Sequence, residues 1–232
     1  LTFSISGSDI NINASSGVIS FASAPDYETT TSYSATVTVS DGTVSATQAI
    51  TVNITNLDDN APSIPGYGTT TSNEFTVNEN QSTLGQINAT DLDGDTIYYS
   101  LVSTDAAPDS NLLSISSSGL ITFKTTPDYE NPADADSNNR YSFYVCISSS
   151  DNSGNSTCNG TAYLWHGNVS NINESPSFTS SASFNVAENQ TTIGTVEAAD
   201  PESATLTYSI TDGSSVISIN SSTGALTFNT AP

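Results

Sequence analysis

The sequence predicts an all-β fold, β-sandwiches in tandem, and three observations carry that expectation. Apolar residues alternate with polar ones at period two, the chain repeats itself about every 105 residues, and no window shows helical periodicity. Residues 1–6, LTFSIS, already read as part of a strand. Tyr33, Ala35, Val37 and Val39 alternate with polar residues, as do Ile50, Val52 and Ile54, and again Tyr141, Phe143, Val145 and Ile147. Such alternation makes half-buried strands, with one face inward and one solvated. Counting back from the second linker, Val169, Gly167, Trp165 and Tyr163 share the inward parity, which gives a partner strand for 141–147 across the loop SSSDNSGNST.

The repeat sets the domain organisation. PDYE at 25–28 returns at 127–130, and VNEN at 77–80 returns as VAEN at 186–189. The stretch 1–25 resembles 206–232, so the chain reads as residues 1–60, the C-terminal part of one repeat, 61–172, a complete repeat, and 173–232, the N-terminal part of another. About a hundred residues is the size of one sandwich. The junctions NLDDNAP (56–62) and NINESP (171–176) carry Pro and no Gly/Ser tract, so they are short and stiff. With no initiator Met and no leader, the chain is expected to be a segment of a longer protein.

Composition then narrows function. Lys+Arg number 2 against 24 Asp+Glu, a formal net charge of -22, so nothing here neutralises nucleic-acid phosphates or favours an anionic membrane surface. No apolar run is long enough to insert in a bilayer. High net charge is also a mark of disorder, but the ordered alternation argues against it.

The motifs resemble the extracellular cadherin repeat. These are Val-x-Glu-Asn opening a repeat, Gly-x-Ile-x-Ala-x-Asp-x-Asp from Gly85 to Asp93, Ser-x-x-Gly-x-Ile-x-Phe from Ser116 to Phe123, Asp-Tyr-Glu, Val-Ser-Asp-Gly from Val39 to Gly42, and the closing Asp-Asp-Asn-x-Pro. The resemblance runs over essentially the whole chain and implies Greek-key, Ig-like sandwiches joined by short calcium-binding linkers. The Ser/Thr/Asn-rich, Lys-poor composition is closer to the cadherin-like repeats of large microbial surface proteins than to vertebrate adhesion receptors.

The acidic residues argue for calcium beside that resemblance. Fifteen of the 24 fall inside repeated motifs: Asp26, Glu28, Asp41, Asp58, Asp59, Glu79, Asp91, Asp93, Asp128, Glu130, Asp151, Glu174, Glu188, Asp200 and Glu202. Carboxylates converging at sandwich ends repel unless protonated or bridged. Ca2+, a hard ion taking six to eight oxygens, suits such a set; Mg2+ demands a stricter octahedron, and Zn2+ lacks its Cys and His ligands. A merely solvated acidic surface would not recur in register. An EF-hand starting in DLDGD (91–95) fails because Val102 stands where the closing Glu belongs.

By resemblance, the first junction draws metal ligands from Asp26, Glu28, Asn56, Leu57, Asp58, Asp59, Asn60, Asp91, Asp93 and Asp151, with carbonyls from Leu57 and Asn60. The second draws them from Glu79, Asp128, Glu130, Asn171, Asn173, Glu174, Asp200 and Glu202. Asp41 and Glu188 are assigned to further junctions. Asn56 and Asn171 stand where the family has its first linker Asp, and Ser175 where it has its final Asn, which implies fewer or weaker ions than the family's usual three per junction.

Cys146 and Cys158 fall at outward parity on adjacent strands, which suggests a disulfide and an oxidising compartment. The same parity puts Trp165 in the core and His166 on the surface. No nucleophile, acid and base set is recognisable, and carboxylates that recur at every junction speak for structure rather than for a single active site, so no enzyme is expected. Ten Asn-x-Ser/Thr sequons permit glycosylation, Asn155 and Asn159 being the most exposed candidates.

The leading expectation is a calcium-rigidified extracellular stalk, adhesin or filament segment engaging other copies or cell-surface ligands. The alternatives are a carbohydrate- or partner-binding module, for which only Tyr67, Tyr98 and Tyr144 break the inward parity of the aromatics, and a subunit polymerising through incomplete ends.

Overall fold

The computed structural model describes residues 1–69, 72–150, 158–212 and 215–232. Strands follow in the order β1 (Thr2–Ile5), β2 (Ile10–Ile12), β3 (Ile19–Phe21), β4 (Ser32–Ser40), β5 (Ser45–Asn53), β6 (Asn73–Asn78), β7 (Thr83–Gln86) and β8 (Tyr98–Val102). A 3-10 turn at Pro108–Leu112 precedes β9 (Leu113–Ile115), β10 (Leu120–Phe123), β11 (Arg140–Ser148) and β12 (Thr161–Ser170). Then come β13 (Ser177–Phe178), β14 (Thr192–Thr195), β15 (Ala198–Ala199), β16 (Ile217–Ile219) and β17 (Ala225–Phe228). The middle stretch makes two sheets, ordered β6-β12-β11-β8 and β7-β10-β9. Residues 1–60 make β1-β4-β5 and β2-β3, and residues 173–232 make β13-β15 and β14-β17-β16. The fold is all-β and of the tandem Greek-key sandwich kind.

The chain divides into two compact units: Leu1–Glu74 with Gly85–Thr122 and Ser142–His166, and Phe75–Leu84 with Phe123–Tyr141 and Gly167–Pro232. In the first, β4 and β5 pair in antiparallel register from Ser32↔Asn53 to Ser40↔Ser45. Their hairpin is closed by Asp41, whose Oδ1 accepts the N–H groups of Thr43 and Val44, both at 2.9 Å. These donors, Val44 first, hold the Asp41 pKa below the usual aspartate value. The buried core of this unit gathers Ile87, Leu113, Ile121, Phe143, Val145, Ile147 and Trp165. In the second unit Phe123 and Tyr141 meet edge to face with centroids 5.0 Å apart. There Gly167 leaves room for Leu84, whose Cδ1 would lie 2.7 Å from an added Cβ.

Repeated sequence makes repeated contacts. Ile87 N donates to Gly119 O at 2.9 Å, and Val196 N to Gly224 O at 3.0 Å. Asn80 N donates to Pro127 O and Asn189 N to Pro232 O, each at 2.9 Å, with φ of 62° at Asn80 and 65° at Asn189. Asparagine enters this left-handed region more readily than most residues with a side chain. Gly119 and Gly224 have φ of 84° and 70°, and a Cβ would lie 2.3 Å and 2.2 Å from the carbonyl oxygens of Ile87 and Val196. Both positions therefore exclude any side chain.

Two expectations about β11 and β12 change. Cys146 and Cys158 are joined, with Cα atoms 5.6 Å apart, but Cys146 does not face solvent: it is 1% exposed. Burial alternates along β11 only as far as Val145 and is continuous from there to Ser148, because the half-cystine partner lies over the outward face. His166 is 7% exposed rather than a surface residue. Its Nδ1 lies 2.9 Å from Ser142 Oγ, and Ser142 N donates to Asp109 Oδ2 at 2.7 Å. The 3-10 turn carrying Asp109 thus covers the face that alternation alone assigns to water.

Gly119→Ala is expected to destabilise the protein by roughly 2–4 kcal/mol through clash and strain. Gly42→Ala, with open space around its Cβ, should cost only the positive-φ penalty of about 1 kcal/mol. Urea denaturation of both variants checks the order. Replacing Cys146 and Cys158 together by Ala, which opens a link across a sequence separation of 12, should lower stability by about 3 kcal/mol. Unreduced peptide mapping should find the two cysteines linked within one chain.

Candidate metal centres at the two junctions

Among the described residues each unit holds one cluster of carboxylates. In the first, oxygens of Glu28, Asp59 and Asp93 lie within 4.8 Å of one another. Glu28 follows β3, Asp59 stands in the linker, and Asp93 is carried by the turn between β7 and β8. Asp93 organises the linker: its Oδ2 accepts the N–H of Asp59 at 3.2 Å and of Asn60 at 2.7 Å, and its carbonyl accepts Asn56 Nδ2 at 3.2 Å. Asp91 Oδ1 accepts Asp95 N at 3.1 Å, while Gly94, with φ of 81°, bends the turn. Three buried oxygens nearby accept no hydrogen bond: Asn56 Oδ1, Asp91 Oδ2 and Asp93 Oδ1. Asn56, its amide nitrogen tied to Asp93, thus keeps its oxygen free.

Not every expected ligand joins this group. Asp26 accepts the backbone N–H of Glu28 at 3.0 Å and the Thr29 hydroxyl at 2.9 Å, so it shapes the turn that presents Glu28. Leu57 and Asp58 are exposed in the linker, and Asp59 N donates to the Leu57 carbonyl at 3.1 Å. Asp151 lies outside the described residues, as does the glycosylation candidate Asn155. Asp95 was missed by the sequence reading, although the acidic run 91–95 contained it.

The second cluster joins Glu79, Glu130 and Glu202 within 4.8 Å. Glu79 is 1% exposed; its Oε1 accepts Ile172 N at 2.8 Å and its Oε2 accepts Tyr129 N at 2.7 Å. A buried carboxylate that accepts two N–H bonds pins the linker to the turn after β10. Glu202 Oε1 accepts Glu174 N at 3.1 Å, and Glu202 Oε2 is buried with no partner. Asn171 Nδ2 donates to Glu130 Oε1, and Asn80 Nδ2 donates to Glu174 Oε1. Asn173 Nδ2 turns to the Glu174 carbonyl at 3.1 Å. Asp128 and Asp200 cap their own turns, accepting Asn131 N and Ala204 N, each at 3.0 Å. Asn80 was not foreseen; its Nδ2 is spoken for only once the linker has folded against it.

Electrostatics follow from the crowding. At Glu28 its own backbone N–H favours the carboxylate, but desolvation and then the shared hydrogen bond and charge of Asp93 outweigh it and raise the pKa. Desolvation, then the charges of Asp58, Asp91 and Asp93, raise that of Asp95. Desolvation, then Glu79, Glu202 and Glu174, raise that of Glu130 against its own backbone N–H. Asp26 is lowered, chiefly by the Thr29 hydroxyl and N–H. A raised carboxylate pKa means that the metal-free fold loses stability as pH rises through that group. Ionised, Glu28, Asp95 and Glu130 therefore each work against the fold.

Both oxygen sets fit a hard divalent cation: three carboxylates each, with the unpartnered amide oxygen of Asn56 at the first and an unpartnered Glu202 oxygen at the second, and no Cys or His among the described residues. Glu79→Ala is expected to cost about 1–3 kcal/mol even with chelator present, because it leaves the partly buried N–H groups of Tyr129 and Ile172 without their acceptor. Glu79→Gln, keeping one acceptor, should cost less, as read by urea denaturation in chelator.

No family model matches the chain. Over 130 residues, 52% of this chain, it is 32% identical to Protocadherin-15 of Mus musculus, and it spans 6% of that protein's length. Among solved structures, mouse Protocadherin-24 EC1-3 matches with a TM-score of 0.55 and 25% identity over 99% of this chain and 76% of its own. Human CDH23 EC21-23 matches with a TM-score of 0.59 and 20% identity, over 98% and 78%.

Proposed function

We propose that this run of cadherin-like repeats is a calcium-rigidified segment of an extracellular adhesin, stalk or filament, which spaces or presents a binding activity carried elsewhere. Repeats of this kind are extracellular, and no helix among the described residues is long and apolar enough to cross a membrane. The observation that carries the reading is the pair of carboxylate trios, each drawn from a linker or repeat opening and from turns brought to it, in a chain with two basic residues.

At the first junction Glu28, Asn56, Asp59, Asp91 and Asp93 would hold the ion; at the second, Glu79, Glu130, Glu174 and Glu202. Bound calcium supplies the positive charge that the chain lacks. The residues do the rest: Asp93 orients the linker backbone, Asp26 and Asp91 fix the turns, and Glu79 anchors the second linker to the Asp128–Glu130 turn. The expected three-part division, 1–60, 61–172 and 173–232, belongs to this proposal, as does engagement of other copies or surface ligands. Catalysis has no part in it.

Ions bound only by the folded state add RT ln(1 + [Ca]/Kd), about 2.7 kcal/mol per site at a hundredfold excess over Kd. Chelation should lower the melting temperature and broaden the solution-scattering profile toward a flexible chain. Identical melting and scattering with and without chelator would overturn the proposal. The second junction, with only Glu174 charged in its linker where the first has Asp58 and Asp59, should release calcium first. Calorimetry on the wild type and on Asp59→Asn and Glu174→Gln variants assigns the two affinities, and a tighter second junction would sink the charge argument.

A further inference from the structure

We propose that Asn88 is an N-glycosylation acceptor whose proximal sugar seats against Tyr67. A sequon alone carries little weight in so Asn-, Ser- and Thr-rich a chain, but the structure sets several of the ten apart. The amides of Asn80 and Asn173 are engaged with Glu174. Asn168 is half-buried within β12. Asn13 and Asn220 turn their side-chain oxygens onto their own backbone, Asn13 accepting Ser15 and Ser16, and Asn220 accepting Ser222 and Thr223. Asn88 is exposed, and its side chain makes no hydrogen bond among the described residues.

The backbone around Asn88 is nonetheless held. Thr90 exchanges two bonds with Ser63, at 2.8 and 2.9 Å, and Ala89 N donates to Tyr99 Oη at 3.1 Å. The sequon Asn88-Ala89-Thr90 is therefore held in an extended stretch with its amide group exposed. Beside it opens a cavity of about 260 Å³ lined by Ile64, Pro65, Tyr67, Asn88, Thr90 and Trp165 among others. A turn presents the aromatic: Pro65 and Gly66, with φ of 82°, occupy its centre, and Tyr67 N donates to Ile64 O at 3.2 Å. The Tyr67 ring is packed 4.8 Å from that of Trp165 and remains 49% exposed.

A rigid aromatic face with polar atoms at its rim is what a pyranose needs. The sugar lays its C–H face on the ring and keeps its hydroxyls in water, and the aromatic loses little entropy because it is already fixed. The donor is a lipid-pyrophosphate-linked oligosaccharide. Asn88 Nδ2 bonds to its anomeric carbon, the bond from that carbon to the phosphate oxygen breaks, the lipid pyrophosphate leaves with the electron pair, and Nδ2 gives one proton to a base of the transferase. No oxidation or reduction is involved.

The test is secretion of the whole chain from a eukaryotic host, glycosidase trimming to a single N-acetylglucosamine, and peptide mapping, with melting measured in calcium and in chelator. We expect Asn88 to carry the sugar, the modified protein to melt about 3 °C above Asn88→Gln, and that gap to vanish when both are made in a Tyr67→Ala background. Tyr67→Leu, which keeps apolar cover over Trp165, serves if Tyr67→Ala does not fold. An unmodified Asn88, or a gap of the same size with and without the Tyr67 ring, overturns the proposal. Because the gap is read with and without calcium, its outcome is independent of the metal proposal.

Discussion

Crowded negative charge with almost no positive charge to answer it is the constraint on which this molecule depends. Two basic residues face 24 acidic ones, and the fold gathers carboxylates rather than dispersing them. At Glu28, Asp95 and Glu130 desolvation and neighbouring carboxylates raise the pKa, the mark of groups that would release their charge if they could. Backbone N–H groups absorb part of the load, as at Glu79 and Asp93. What they leave unanswered, at Asn56, Asp91, Asp93 and Glu202, is a set of oxygens suited to a hard cation.

The turns that carry the clusters are held by their own side-chain-to-backbone bonds. Asp91 and Asp200 cap equivalent turns, closed at Gly94 and at Ser203, both with positive φ. Asn80 and Asn189 enter the left-handed region at the same point of their repeats. Strand pairing supplies little restraint at such places, so side-chain-to-backbone bonds do it, and these are local enough to be written in short motifs. That is why a repeat of low overall similarity conserves its contacts between the copies within this chain.

The two junctions use their carboxylates differently. At the first, Asn56 donates to a backbone carbonyl and leaves its oxygen unpartnered; at the second, Asn171 and Asn80 donate to Glu130 and Glu174. Amide donors can hold a linker in place without a metal, though through solvent-exposed hydrogen bonds that leave the carboxylate charge in place. The first Asn of the two linkers therefore has two structural meanings, and only the position of the neighbouring carboxylates distinguishes them.

The sequence by itself determined the all-β class, the repeat and the acidic motifs, because period-two alternation and short turn signatures are local properties of a chain. It marked Glu28, Asp59, Asp93, Glu79, Glu130 and Glu202 as candidates by their recurrence, and it placed Trp165 in the core by parity. Parity failed at Cys146 and His166, since it counts faces of a strand and cannot know that a disulfide or a 3-10 turn covers the outer one. Which six carboxylates come within 4.8 Å of their neighbours, that Asp95 and Asn80 belong beside them, and that Asn88 stands next to an exposed ring were decided only by the tertiary structure. Those relations join residues tens of positions apart, and their distances are set by how strands and turns pack, which no local pattern encodes.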